Sequence, residues 1–182
     1  MIRLELAGVH SLLLSPLCAR CPHGRAGCCE APPAVAWADI GRIVSLGGRD
    51  FLLAEIHEGR LLPQTRGLSI RRAPPSEPFP ERCGYLGEAG CVLPPDRRSA
   101  TCNYYLCEEA FSAAEEEGDP RVPRGRKMHD RLTALFGRWD LELAEAIGAR
   151  YPDGAPWDAE FLDWLGAELR ALARKARISM GM

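Results

Sequence analysis

Cys18-Ala19-Arg20-Cys21-Pro22-His23-Gly24-Arg25-Ala26-Gly27-Cys28-Cys29 places four cysteines within twelve residues. Pro22, Gly24 and Gly27 punctuate it as a loop rather than a helix or strand. A Cys-x-x-Cys turn such as Cys18–Cys21 lets two sulfurs converge on one point, which suits a tetrahedral metal with Zn–S near 2.3 Å. The vicinal pair Cys28-Cys29 argues against a disulfide there. Adjacent Cα atoms sit about 3.8 Å apart, whereas a relaxed disulfide spans about 4.4–6.8 Å. Neighbouring side chains of an extended segment point to opposite sides. Cys28 and Cys29 are therefore expected to serve two different metals, or to supply one ligand and one outer thiol.

Further along the chain a second group repeats the pattern: Cys83, Cys91, Cys102 and Cys107, set among Gly84, Gly87, Gly90, Pro94 and Pro95. Thiolates are soft ligands, so a cysteine-only set favours zinc or an iron–sulfur cluster over magnesium or calcium. All eight cysteines are candidate metal ligands on this reading. Disulfides and buried core thiols are the competing accounts; polar, turn-rich surroundings and a reducing compartment weigh against both. Arg20, Arg25, Arg82, Arg97 and Arg98 lie within a few positions of a cysteine and are candidates to offset thiolate charge, though arginines are also ordinary loop residues. His23 is either a ligand or, more often for such a position, a solvated or hydrogen-bonding neighbour of a sulfur. His10, His57 and His129 stand alone in the sequence and read as surface or core residues.

Around these loops the periodicity is helical. Ile40, Ile43 and Val44 predict a short helix over 36–46, stopped by Gly47-Gly48, and Phe51 to His57 a second one with Asp50 as N-cap. Residues 2–17 read as a strand or irregular lead-in, and 68–71 as a strand. The proline-rich run 73–80 reads as an extended connector. One helix is expected from Cys102–Tyr105 through Glu117, its glutamates (Glu108, Glu109, Glu115, Glu116, Glu117) on an exposed face, ended by Gly118-Asp119-Pro120. Tyr104, Tyr105 and Phe79 are expected to form a small core beside the cysteines or to cover them. From Lys127 to Ile147, apolar residues at steps of three and four mark an amphipathic helix. A second follows from Trp157 to Arg177, with Phe161, Leu165, Leu169, Leu172 and Ala176 on one face. Tyr151-Pro152-Asp153-Gly154 separates the two, which predicts an antiparallel helical hairpin.

Composition narrows the function. Net charge is −2, and the basic stretch 121–127 follows acidic residues, so it reads as a solvated junction and no nucleic-acid face is expected. The apolar stretch 11–18 is far short of the roughly 20 residues of a membrane span. Arg3 and Glu5 before it, and the bulky Leu17, are wrong for an export signal. The expectation is a cytoplasmic protein with no membrane partner. No Gly-rich phosphate loop or dinucleotide fingerprint is present, and no cysteine-hydrolase signature.

Taken together, these residues resemble the YkgJ-like cysteine-cluster family, a zinc- or iron-chelating domain. The matching positions are Cys18, Cys21 and Cys28-Cys29; Asp39-Ile40 with Arg42; Cys83; Gly90-Cys91; Arg98; and Cys102 and Cys107. The likeness covers residues 17–108. It departs in a longer gap between Cys21 and Cys28, in Ser99 where the family has proline, and in Asn103 where arginine is common. A flagellin lysine methylase carries a similar cluster. The fold expected is mainly α with irregular metal-stabilised loops: a cysteine-cluster domain over 1–120, and a C-terminal helical hairpin over 121–182 packed on it. The function expected is metal binding in a structural or carrier role, acting with a protein partner. The alternative is an iron–sulfur-dependent redox or modifying enzyme that works with a partner.

Overall fold

The computed structural model describes residues 1–77 and 81–176. Helices carry most of its regular structure, and the strands pair as small two-stranded ladders. The lead-in is a hairpin: β1 (Arg3–Glu5) runs antiparallel to β2 (Leu12–Leu14), with Leu4 opposite Leu13. Two short 3-10 turns, Pro16–Arg20 and Gly27–Glu30, hold three of the first four cysteines, and Cys21 caps the first turn.

Helix α1 (Trp37–Ser45) follows the predicted stripe and sits at the centre, with every residue from Trp37 to Val44 buried. Such complete burial requires partners on all sides. On one side, α6 (Ala159–Lys175) crosses so closely that a Cβ on Gly41 would lie 2.9 Å from the Leu169 Cβ, and one on Gly166 would lie 2.6 Å from Val44 Cγ1. Glycine at both positions lets the two backbones approach. At its start, the Trp37 N–H donates to Asp140 of α5 (Val122–Arg150) at 2.7 Å.

Helix α2 (Arg49–His57) starts earlier than expected. Gly48 is its N-cap, and Asp50 lies inside the first turn, where it pairs with Arg49 at 2.9 Å. The chain then forms β3 (Leu61–Gln64) and β4 (Gly67–Ile70), an antiparallel pair. β5 (Arg72–Ala73) pairs with β6 (Arg82–Cys83), and β7 (Leu86–Gly87) with β8 (Gly90–Cys91). The predicted connector thus begins as a strand, and Phe79 lies outside the described residues.

The helix expected from Cys102 to Glu117 is two helices. α3 (Thr101–Tyr104) ends at Tyr105, whose ψ of 127° is extended, and α4 (Glu108–Glu116) starts after Cys107, also extended at ψ 164°. The break turns Leu106 into the core, where it is 4% exposed. The basic stretch 121–127 is likewise helical: α5 begins at Val122, with Pro123 in its first turn, where a missing N–H leaves no bond unmade. Arg126, one turn further on, pairs with Glu108 and Glu115 of α4 at 2.6 and 3.2 Å.

The C-terminal helices form the predicted hairpin in part. α6 packs on α5, but its more extensive partner is α1. Asp158 caps it by accepting from the Phe161 N–H at 2.8 Å, and Arg177 lies outside the described residues. Trp157 stacks on Trp37 at 5.4 Å, joining the hairpin to the centre of the molecule. One continuous core includes Leu13, Ile40, Leu106, Trp139 and Leu165. Among the described residues no helix is long and apolar enough to cross a membrane.

Candidate metal centre

All eight cysteines are free thiols. The fold interleaves the two sequence groups. The turn Gly27–Glu30, with Cys28 and Cys29, packs against β6, which carries Cys83. The turn Pro16–Arg20, with Cys18, packs against α4, for which Cys107 is the N-cap. Cys18, Cys21, Cys28, Cys29, Cys91 and Cys107 line one open cleft of about 1140 Å³.

The thiols feel one another in the same pattern. Burial raises the Cys18 thiol; a hydrogen bond from Ser15 counters it, and proximity to Cys28, Cys107 and Cys21 raises it further. Burial also raises Cys83, which then feels Cys91 and Cys28. Cys102 keeps exposed surface, yet packing around its sulfur pushes it up to about 12, with Cys91, Asp39, Cys83 and Cys28 adding to the effect. In the vicinal pair, the Cys29 thiol donates to Cys28. That bond brings Cys28 down to about 6 and raises Cys29. Two overlapping neighbourhoods result: Cys18 feels Cys21, Cys28 and Cys107, while Cys28 also acts on Cys83 and Cys102, which in turn act on Cys29. The adjacent cysteines of the pair stand at their boundary. Burial and crowding raise the Cys18, Cys83, Cys102 and Cys107 thiols while Cys28 is lowered, and a cation drawn to this set would displace protons from the raised thiols.

Two helices hold the distal loops in place. The Asp39 carboxylate of α1 is 5% exposed. It accepts from the Ala36 N–H at 3.2 Å, the Ser99 hydroxyl at 2.8 Å and the Ala100 N–H at 2.7 Å. The last two bonds fix the start of α3, one residue before the Thr101-Cys102 step. Burial pushes the Asp39 carboxyl up despite those donors. Arg42, 1% exposed, donates to the Arg98 carbonyl; burial lowers its guanidinium, and the Asp39 carboxylate beside it opposes that shift. From α2, Glu55 accepts from the Tyr85 hydroxyl at 2.5 Å and from Arg60 at 2.6 Å, which ties the Cys83–Cys91 segment down.

The expected cation roles change accordingly. Arg98 directs its guanidinium to the Leu93 and Cys91 carbonyls at 2.7 and 3.4 Å, and Arg97 to the Leu46 carbonyl at 3.1 Å. Both brace the loop backbone. Ser99 bonds the Asp39 carboxylate through its hydroxyl, and the Asn103 amide donates to the Pro95 carbonyl at 2.8 Å. Of the aromatic pair, Tyr104 is core, 5% exposed and in ring contact with Phe136 at 6.0 Å; Tyr105 is exposed and lines the cleft.

Glu109 does not simply lie on a solvated face. Its carboxylate meets His23 Nε2 at 3.2 Å, and the Cys107 thiol donates to it. His23, Cys107 and Glu109 are, among the described residues, the one set of three ligand atoms within 4.8 Å of one another. The only sequence signal for Glu109 was its place two residues after a cysteine.

Free thiols are donors of the kind a soft metal takes, and all eight here are without a disulfide. Four sulfurs at 2.3 Å around one zinc would stand about 3.8 Å apart, and no three of the cysteine sulfurs approach within 4.8 Å of one another. No family model matches this sequence, and neither a curated protein nor a solved structure matches it.

Proposed function

We propose that this chain is a metal-binding protein of the YkgJ-like kind. Its eight cysteines form two adjacent sulfur-ligated centres in a structural or carrier role. Cys18, Cys21, Cys28 and Cys107 serve one centre, and Cys29, Cys83, Cys91 and Cys102 the other. The observation that carries the reading is the crossing of the sequence groups: Cys107 joins the first loop, while Cys83 packs on the vicinal pair. Sequence distances of this size are bridged at the cost of loop entropy, which a shared cation offsets because its binding free energy becomes folding free energy. A reducing cytoplasm suits eight unpaired thiols, and a protein partner would receive or deliver the metal.

Zinc and an iron–sulfur cluster remain the two occupants. Zinc would draw four thiolates onto one ion, whereas an iron–sulfur cluster would take them around several irons. In that reading the chain would pass electrons in an enzyme completed by a partner.

Anaerobic purification, elemental analysis and a visible spectrum decide between them. Iron with sulfide and a brown, oxygen-sensitive protein supports the cluster; colourless protein with two zinc per chain supports paired zinc. Cys28→Ser and Cys29→Ser are each expected to lose one centre and spare the other. Full metal content in both variants, or no metal in the native protein, ends the proposal.

A further inference from the structure

At the mouth of the cleft stands a ligand set of a different kind. His23 and Glu109 have side chains 54% and 51% exposed and meet at 3.2 Å, with the Cys107 sulfur inside the same 4.8 Å circle. The geometry is built by two turns. His23 lies two residues past Cys21 on a bend closed by the Gly24 N–H to the Cys21 carbonyl at 3.3 Å. Cys107 is the N-cap of α4, and Glu109 lies in that helix's first turn, so the helix start fixes both side chains together.

An isolated surface His–Glu pair is worth little and would need no sulfur in reach. An imidazole, a thiolate and a carboxylate converging from solvent is instead the donor mixture that borderline divalent cations accept. Three protein ligands leave a coordination position open to water or an incoming ligand, unlike a closed four-sulfur site. Cys107 is common to this set and to the neighbourhood of Cys18 and Cys21.

We infer that His23, Cys107 and Glu109 form an outer capture site for a divalent cation such as zinc or ferrous iron, from which the ion passes to the sulfur centre beneath. The step is ligand exchange without redox change. The ion displaces the Cys107 proton to solvent on capture, keeps its bond to Cys107, and trades His23 and Glu109 for Cys18 and Cys21, whose protons also leave. This inference rests on the proposed sulfur centre.

The test is stopped-flow uptake of cobalt(II) by the reduced, metal-free full chain under anaerobic conditions, followed by thiolate-to-cobalt absorption. The proteins compared are the native chain, His23→Ala, His23→Gln and Glu109→Gln. The native chain should show an early phase of weak thiolate absorption before the full spectrum. Each variant should lose that phase and load about ten-fold more slowly, the low end of the loss expected when a metal site's partner is removed, while reaching the same final cobalt content. His23→Gln can still donate a hydrogen bond to Glu109 but is a poor ligand, so loading at the native rate would mean a structural hydrogen bond and would overturn the inference. Native rates in all three variants would overturn it too, leaving the sulfur centres intact. A native chain that takes up no cobalt removes both readings.

Discussion

Replacing Asp39 with asparagine probes how the scaffold sets the distal cysteine loop. The carboxylate accepts three hydrogen bonds at 2.7–3.2 Å from Ala100, Ser99 and Ala36. An amide of the same shape has one oxygen. That oxygen can keep the Ala100 N–H, and the Ser99 hydroxyl can turn to accept from the new NH₂ group. The Ala36 N–H then faces a donor and is left unmade. One orphaned N–H in this half-buried position costs about 1–3 kcal/mol. Burial already disfavours the Asp39 charge, so its removal returns part of the loss, while Arg42 loses the nearest counter-charge. The expected net destabilisation is therefore about 2 kcal/mol, near one donor rather than three. Urea unfolding of the metal-free, reduced chain measures it, with the midpoint falling at unchanged slope. Because Ala100 precedes the Thr101-Cys102 step, metal competition should show weaker binding as well. A variant as stable as the native chain to within about 0.5 kcal/mol, the scatter of a surface substitution, with native metal affinity, would refute the idea that Asp39 seats the start of α3.

Gly27 has φ +51°, and a Cβ there would lie 2.8 Å from the Cys21 sulfur. Gly27→Ala is expected to cost about 1–2 kcal/mol for the left-handed backbone and to displace Cys21, weakening metal binding by titration. Gly24→Ala, with φ +90° and its nearest neighbour at 4.0 Å, should strain the backbone while sparing the metal; equal metal loss in both would count against Cys21 as a ligand. Asp119, bonded to the Ile2 N–H at 2.5 Å and to Arg121, is held down to about 2 first by the Arg121 guanidinium. Its folded pKa lies below the unfolded value of about 3.9, so its stabilisation is full above that value and fades as pH falls toward 2. The stability gap between the native chain and Asp119→Asn should therefore narrow from pH 5 to pH 2; parallel stability curves would contradict this.

Where burial follows a period, the fold is readable from the residues. The Ile40, Ile43 and Val44 stripe gave α1, and the three-and-four spacing from Leu132 to Ile147 gave the buried face of α5. The break between α3 and α4 had no such marker. Tyr105, Leu106 and Cys107 hold no Pro or Gly, and the chain extends there to bury Leu106, a tertiary demand that local propensity does not reveal. Pro123 marks the start of α5 within the basic stretch 121–127, because a first helical turn needs no N–H from it. The candidate site was half legible. Spacing identified the eight cysteines and argued that Cys28 and Cys29 face different neighbours. It could not pair Cys107 with Cys18, because a Cys-x-x-Cys turn specifies only local convergence. Glu109 was hidden among five helix glutamates, and its distinction is a contact with His23 from a loop far away in sequence.

The vicinal pair links the two proposed centres mechanically as well as chemically. Cys28 and Cys29 share a peptide bond, which is planar and resists distortion, and both lie in one short 3-10 turn packed on β6. A metal that pulls Cys28 toward Cys18, Cys21 and Cys107 therefore also orients Cys29 toward Cys83, Cys91 and Cys102. The same event removes the hydrogen bond in which the Cys29 thiol donates to Cys28, the main cause of the opposed shifts of the two thiols. Filling of the first neighbourhood thus prepares the second, so titration of the metal-free chain should show the two centres filling together rather than at independent affinities. Two well-separated affinities, unchanged in Cys28→Ser for the remaining centre, would show that the shared peptide transmits nothing.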